Sequence, residues 1–373
     1  MRLLLIRTAA LCAALFVSAP AWADTVPPQI DRLGLDAMVA AIENRDYRRI
    51  EGIMVERGGE ILFADYYRRS GPESRIDARS AGKSITALAL GMAIDDGAIA
   101  GVDLPLLSFF ADREPIAHDG PEKRAITLHD ALSMSSALDC NDWTMASPGN
   151  EERMYDTRDW TRFALDIPGD TEYRRHEESG QGRFSYCTAG VFLLGRVVER
   201  AVGEPFEDYV QRRLFDPLDI DDPEWRRAPE GAVQTGGQLS LRVRDFTALG
   251  RLVLDGGMHD GTQLISRYWV HGLFRPHVRA TPDQSYGYLW WFANFQAPDA
   301  ERDYSALMMS GNGGNKVALF PELDAVVTIL ATNYNDRDMH DLTADLIDTH
   351  ILPALLADCE ARPPCTASPA IAP

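Results

Sequence analysis

Ser80-Ala81-Gly82-Lys83 sets a hydroxyl and an amine three residues apart. Positions i and i+3 share a helix face, so a helix starting here brings the Lys83 amine to the Ser80 hydroxyl. To take a proton, that amine must fall about three pKa units from its usual ~10.4, roughly 4 kcal/mol. Burial can supply such a shift, and the result is an activated serine nucleophile. Arginine could not do this, because it stays charged. The chain has three lysines (Lys83, Lys123 and Lys316) against thirty-four arginines. A chance Ser-x-x-Lys is therefore rare, with about 0.14 expected. The plainer reading is a helix start in which Ser80 caps and Lys83 is solvated.

The elements around this pair can be read from apolar spacing. Residues 32–46 have helical periodicity, and Ile50 to Tyr67 reads as two strands joined at Gly58-Gly59. A helix is expected from Ser80 to about Asp95, stopping at Gly97. Residues 98–275 read mostly as helix and loop, with clear helices at Ala189–Ala201 and Val243–Asp255. Beyond residue 285 the texture turns to strands, at Tyr286–Phe295, Ser305–Ser310, Lys316–Phe320 and Ala325–Thr332, before a last helix over Met339–Leu356. Strands at both ends with helices between imply an α/β chain of the α+β type. One sheet domain is expected from residues 24–97 and 276–357, an inserted, mostly helical domain from 98–275, and a flexible tail at 358–373.

Two further stretches complete a pattern. Phe184-Ser185-Tyr186-Cys187-Thr188 puts a tyrosine on a loop just before a helix, and Ser310-Gly311-Asn312-Gly313-Gly314-Asn315-Lys316 is a glycine-rich entry to a strand. With Ser80 and Lys83, and with Ile126–Ser136, Phe215–Leu218 and Tyr286–Trp291 at similar spacing, the chain resembles the serine β-lactamase and penicillin-recognising superfamily. The similarity runs over most of residues 35–355 and is greatest to the esterase-like branch, related to class C β-lactamases and aminohexanoate-oligomer hydrolases.

The resemblance implies an antiparallel sheet flanked by helices and an acyl-enzyme formed on Ser80. Lys83 and Tyr186 would share the proton transfers, with the Lys83 ammonium drawing the phenol down from its usual pKa near 10. The backbone N–H groups of Ser80 and Asn315 would hold the oxyanion. Thr188, Asn312, Gly313 and Gly314 would line the substrate site, the glycines because nothing projects from them. Two departures narrow the substrate. Thr188 stands where the family usually has Asn, and Asn312 where it usually has Lys or His. Without that cation, recognition of a substrate carboxylate weakens, unless Lys316 reaches the same face. Neutral esters or amides are favoured. The alternatives are a β-lactamase or D-alanyl carboxypeptidase, and a catalytically weak protein that binds peptides or peptidoglycan fragments.

Other residues carry less. The eight histidines include no metal-spaced pair, so neither metal nor organic cofactor is expected, and His176, His271 and His277 read as surface or packing residues. Trp290 and Trp291 should face opposite sides of a strand. Trp143 either packs or covers the site.

Residues 1–23 read as a secretory leader, with Arg2 and Arg7, an apolar run from Leu11 to Ala19, and Ala21-Trp22-Ala23 before the cut. That run is too short to span a membrane, and Leu11 before Cys12 does not fit a lipoprotein cut. The expectation is an exported protein, periplasmic or secreted, without a stable membrane anchor. Its net charge goes from −19 to −21 once Arg2 and Arg7 are removed, which argues against nucleic acid as a partner. A small acyl substrate is the expected partner, and oligomeric state is not defined. Four cysteines remain after the leader, and in an oxidising compartment they permit two disulfides. Cys359 with Cys365 closes a short loop and would leave Cys140 for Cys187, but four free thiols fit as well.

Overall fold

The structure, a computed structural model, describes residues 30–177 and 180–365. The stretch read as a leader, residues 1–23, lies outside the described residues. Nine strands form one antiparallel sheet: β1 Ile30–Asp31, β2 Ile50–Arg57, β3 Glu60–Tyr66, β4 Val278–Arg279, β5 Ser285–Tyr286, β6 Trp291–Phe295, β7 Tyr304–Gly311, β8 Asn315–Phe320 and β9 Ala325–Ala331. Their order across the sheet is β1-β3-β2-β9-β8-β7-β6-β5-β4, so the two ends of the chain meet where β2 pairs with β9. The Gly58-Gly59 hairpin falls where the sequence places it, with both glycines at positive φ. Tyr286–Phe295 is two short strands rather than one, because the chain turns through residues 287–290.

Successive residues of the central strands supply two separate cores. Ile53, Val55, Ala318, Phe320, Val327 and Ile329 face helix α1 (Asp36–Glu43) and the helical stretch of residues 339–361. Met54, Val317, Leu319 and Val326 face the other way, toward the larger core. That core contains helix α2 (Lys83–Asp95), which is apolar almost all round and buried from Lys83 to Ala93. A helix of that composition has no solvent face and must sit inside.

The helix Val243–Leu254 departs from the expected division. It lies inside the 98–275 stretch read as the inserted helical region, yet it packs on β2, β8 and β9. Gly250 makes this possible, since a Cβ there would stand 2.8 Å from Val326 Cγ1 and 3.0 Å from Val317 Cγ1. Thr247 also donates to Thr328 on β9 at 2.8 Å. The stretch read as a tail from 358 is likewise held as far as it is described. The last helix continues to Ala361, Cys359 and Cys365 are joined, and Asp358 accepts from Arg57 at 2.6 Å.

One ion pair ties Val243–Leu254 to the sheet. Arg251 donates to the fully buried Glu56 of β2 at 2.6 and 2.8 Å, and to Asp324 in the β8–β9 turn at 2.7 Å. Removing one partner of a buried pair strands the other charge. Arg251→Met should therefore cost about 3–5 kcal/mol in urea unfolding, with Glu56→Gln in the same chain recovering part of it. A loss below about 1 kcal/mol would mean the pair behaves like a solvated surface bridge.

Candidate active site

Ser80 lies in a 3-10 turn, Arg79–Gly82, that runs straight into α2. Arg79 before it has φ +53, a left-handed conformation uncommon outside glycine. It is held there by its N–H on Asp77 Oδ1 (2.8 Å), its carbonyl accepting from Gln238 N (3.2 Å), and its guanidinium over the Tyr334 ring (4.2 Å). Gly237 backs this turn so closely that a Cβ would meet Arg79 O at 2.8 Å.

Lys83 opens α2 and has no exposed surface. Its Nζ donates to Ser80 Oγ at 3.0 Å and to the Gly236 carbonyl at 2.6 Å, and stands 4.9 Å from the Tyr186 ring centroid. The solvated-lysine reading of this motif is excluded. Tyr186 is itself buried. Burial raises its pKa, and the pull of Lys83 and of a hydrogen bond with Ser80 only partly offsets that. The phenol is therefore protonated in the resting site. This corrects the expectation of a Tyr186 drawn down by Lys83, because desolvation outweighs attraction.

Tyr186 is fixed by residues 140–142. Cys140 and Cys187 form a disulfide, Asp142 N donates to Tyr186 O at 2.8 Å, and Ser185 Oγ donates to Cys140 O at 2.7 Å. The Asp142 carboxyl then receives the first N–H groups of two helices. Thr188 N, opening Thr188–Val202, donates at 2.7 Å, and Glu151 N, opening Glu151–Tyr155, at 2.8 Å. Burial and neighbouring Glu151 push Asp142 up to about 6, while Lys83 and Thr188 draw it back.

Thr188, expected at the substrate, is fully buried instead, and its methyl is wedged against Gly236. Asn315 opens β8 opposite Gly311, whose Cα lies against the Ala78 carbonyl and Ala81 N of the Ser80 turn. Asn315 is buried too, with its side chain spanning Asn312 O (2.7 Å) and Ala331 N (3.0 Å). Gly313 and Gly314 both have positive φ. Asn312 exchanges hydrogen bonds with Asn335, at 2.7 and 2.8 Å, on the rim of a cleft of about 100 Å³ shared with Ser80, Arg79, Glu151 and Glu152. Lys316 does not replace the missing cation. It points to the opposite face of the sheet, where Nζ donates to Thr343 Oγ1 at 2.7 Å and burial lowers it to about 7.

A larger cavity of about 400 Å³ lies between β2 and Val243–Leu254. Its one hydroxyl, on Thr247, is committed to Val243 and Thr328. The smaller cleft is the candidate site because Ser80 lines it, and the Lys83 amine, close to the Tyr186 ring, is hydrogen-bonded to Ser80 from behind. Sequence reading missed Gly236, Gly237 and Asp142. The first two carried a visible signal, a Gly-Gly pair inside a helical region. Asp142 carried none beyond its proximity to Cys140.

A profile of the β-lactamase family matches residues 38–350, and the chain belongs to that family. It is an enzyme, a hydrolase related to β-lactamases. The 6-aminohexanoate-dimer hydrolase of Paenarthrobacter ureafaciens is 27% identical over 87% of this chain and 84% of its own length. The lovastatin esterase of Penicillium rubens is 27% identical over 52% of this chain and 50% of its own. Among solved structures, the octameric penicillin-binding protein homologue of Pyrococcus abyssi superposes with a TM-score of 0.63 at 18% identity, covering 87% of this chain and 78% of that one. This last likeness concerns the fold.

Asp142 faces Lys83, Glu151 and the Thr188 N–H. Protonating it weakens its hold on both helix starts, one of which begins two residues after Tyr186. Ester hydrolysis should therefore fall as pH drops through about 6. Asp142→Asn should lower kcat/KM about tenfold and erase that limb, since it removes one charge-assisted hydrogen bond. An unchanged acid limb in the variant would assign the titration to another group.

Proposed function

We propose that this protein is an exported serine hydrolase that cleaves neutral esters or amides through an acyl-enzyme on Ser80. One observation carries the reading: the Lys83 amine, with no exposed surface, lies 3.0 Å from Ser80 Oγ and 4.9 Å from the centroid of the Tyr186 ring. Ser80 Oγ attacks the acyl carbon while Lys83 takes the serine proton. Tyr186 gives its phenolic proton to the departing oxygen or nitrogen as that bond breaks, and Lys83 passes its extra proton to the phenolate. Water then repeats the sequence on the acyl-enzyme and frees the acid. The backbone N–H groups of Ser80 and Asn315 are assigned to the oxyanion, where one donor is worth about 10²–10³ in rate.

The charges of the cleft support a neutral substrate. Arg79 is paired with Asp77 at 3.3 Å, Glu151 and Glu152 are acidic, and Asn312 is neutral. The disulfides Cys140–Cys187 and Cys359–Cys365 support export, since such bonds persist in oxidising compartments.

Incubating the mature protein with a nitrophenyl ester, a fluorophosphonate and a penicillin tests this, with intact mass recorded for each. Turnover and a fluorophosphonate adduct are expected, both lost in Ser80→Ala. Lys83→Met and Tyr186→Phe should each lower kcat by at least about 10². A lasting penicillin adduct would replace this reading with a D-alanyl carboxypeptidase. Turnover that persists in Ser80→Ala would remove Ser80 from the chemistry.

A further inference from the structure

Trp143 is 59% exposed and Met145 68% exposed, and Tyr268 is the one other large apolar side chain so exposed among the described residues. Trp143 and Met145 share one loop, and Trp143 is stacked on Tyr186, with ring centroids 5.8 Å apart and planes 9° from parallel. Tyr186 in turn stacks on Trp291 at 6.0 Å, and Phe184 lies 5.6 Å from Trp143. Sequence alone left Trp143 between packing and covering the site. The structure gives it one face on Tyr186 and leaves much of the rest to solvent.

The loop is built rather than loose. Buried Asn150 donates from Nδ2 to the carbonyls of Asp142 (3.1 Å) and Thr144 (3.3 Å). Ser147 Oγ receives Asn141 N at 2.9 Å and donates to Asp139 O at 3.2 Å, and Cys140 is tied to Cys187. Exposed apolar surface is unfavourable in water at about 25 cal/mol per Å². Here it is held in place beside the candidate proton donor instead of being folded away. A rigid aromatic face costs little entropy to bind against.

We propose that Trp143, with Met145, forms the wall that receives an apolar, flat or alkyl leaving group. The inference rests on the serine-hydrolase reading above. Tyr186 is the group that protonates the departing atom, and Trp143 covers that same ring. Whatever leaves the acyl carbon on the Tyr186 side therefore passes along the indole. The substrate class is thus an ester or amide whose alcohol or amine part carries an aryl or alkyl body.

The test compares 2-phenylethyl acetate with ethyl acetate, which share an acyl group and an aliphatic leaving oxygen, by pH-stat titration. In Trp143→Ala the ratio of their kcat/KM values should fall about tenfold, mainly through KM. Trp143→Phe, which keeps a flat ring, should restore much of the ratio. An unchanged ratio in Trp143→Ala overturns the wall. So does a loss that appears with ethyl 3-phenylpropionate instead, since that places the contact on the acyl side. A change in sedimentation between wild type and Trp143→Ala, with the ratio intact, would make this face a contact between copies. If the wild type hydrolyses neither acetate and takes no fluorophosphonate, the hydrolase reading itself fails and the wall with it.

Discussion

A lysine with no solvent contact is the constraint around which this structure is arranged. Charged or neutral, an amine inside a protein needs partners, and Lys83 has three of different kinds: a hydroxyl, a carbonyl and an aromatic face. No carboxylate hydrogen-bonds it. Ser80 comes from the adjoining turn, whereas the other two arrive from distant parts of the chain, Gly236 from a loop 153 residues on and Tyr186 from just before Thr188–Val202. The close glycine contacts follow from this demand. Gly236 meets Thr188 and Gly237 meets the Ser80 turn, and a side chain at either position would push the Gly236 carbonyl away from the amine.

The parts legible in sequence were those set by local pattern. The β2–β3 hairpin announced itself through Gly58-Gly59, and α2 through apolar residues followed by Gly97. Ser80 and Lys83 were legible because few residue types can do their chemistry, Tyr186 only through the family resemblance, and the structure brings the three together. What stayed hidden depended on packing across long separations. Val243–Leu254 reads as an ordinary amphipathic helix, and its place against the sheet depends on Gly250 fitting between Val317 and Val326. Lys316 was undecidable for a related reason, since its face depends on where β8 begins, and the positive φ angles of Gly313 and Gly314 set that.

Asp142 shows the same limit at the site. Its carboxyl is defined by two N–H groups, one 9 residues and the other 46 residues away in sequence. Helix starts favour an anion, but which acid serves two of them at once cannot be read from spacing. Its position also makes the local electrostatics asymmetric. Glu151 and Glu152 line the cleft with no arginine among the described residues paired to them, while Arg79 in the same lining is neutralised by Asp77.

The Cys140–Cys187 bond spans 47 residues, and its effect reaches the chain before it folds. Closing a loop of that length removes unfolded-state entropy worth about 4 kcal/mol. The segment carrying Asp142 and Trp143 and the segment carrying Tyr186 therefore stay near one another even in a denatured molecule. Once oxidised, the chain searches for its native arrangement with half of the site already tethered. A heated or denatured sample that keeps this bond begins refolding from a much smaller set of conformations than the reduced chain does.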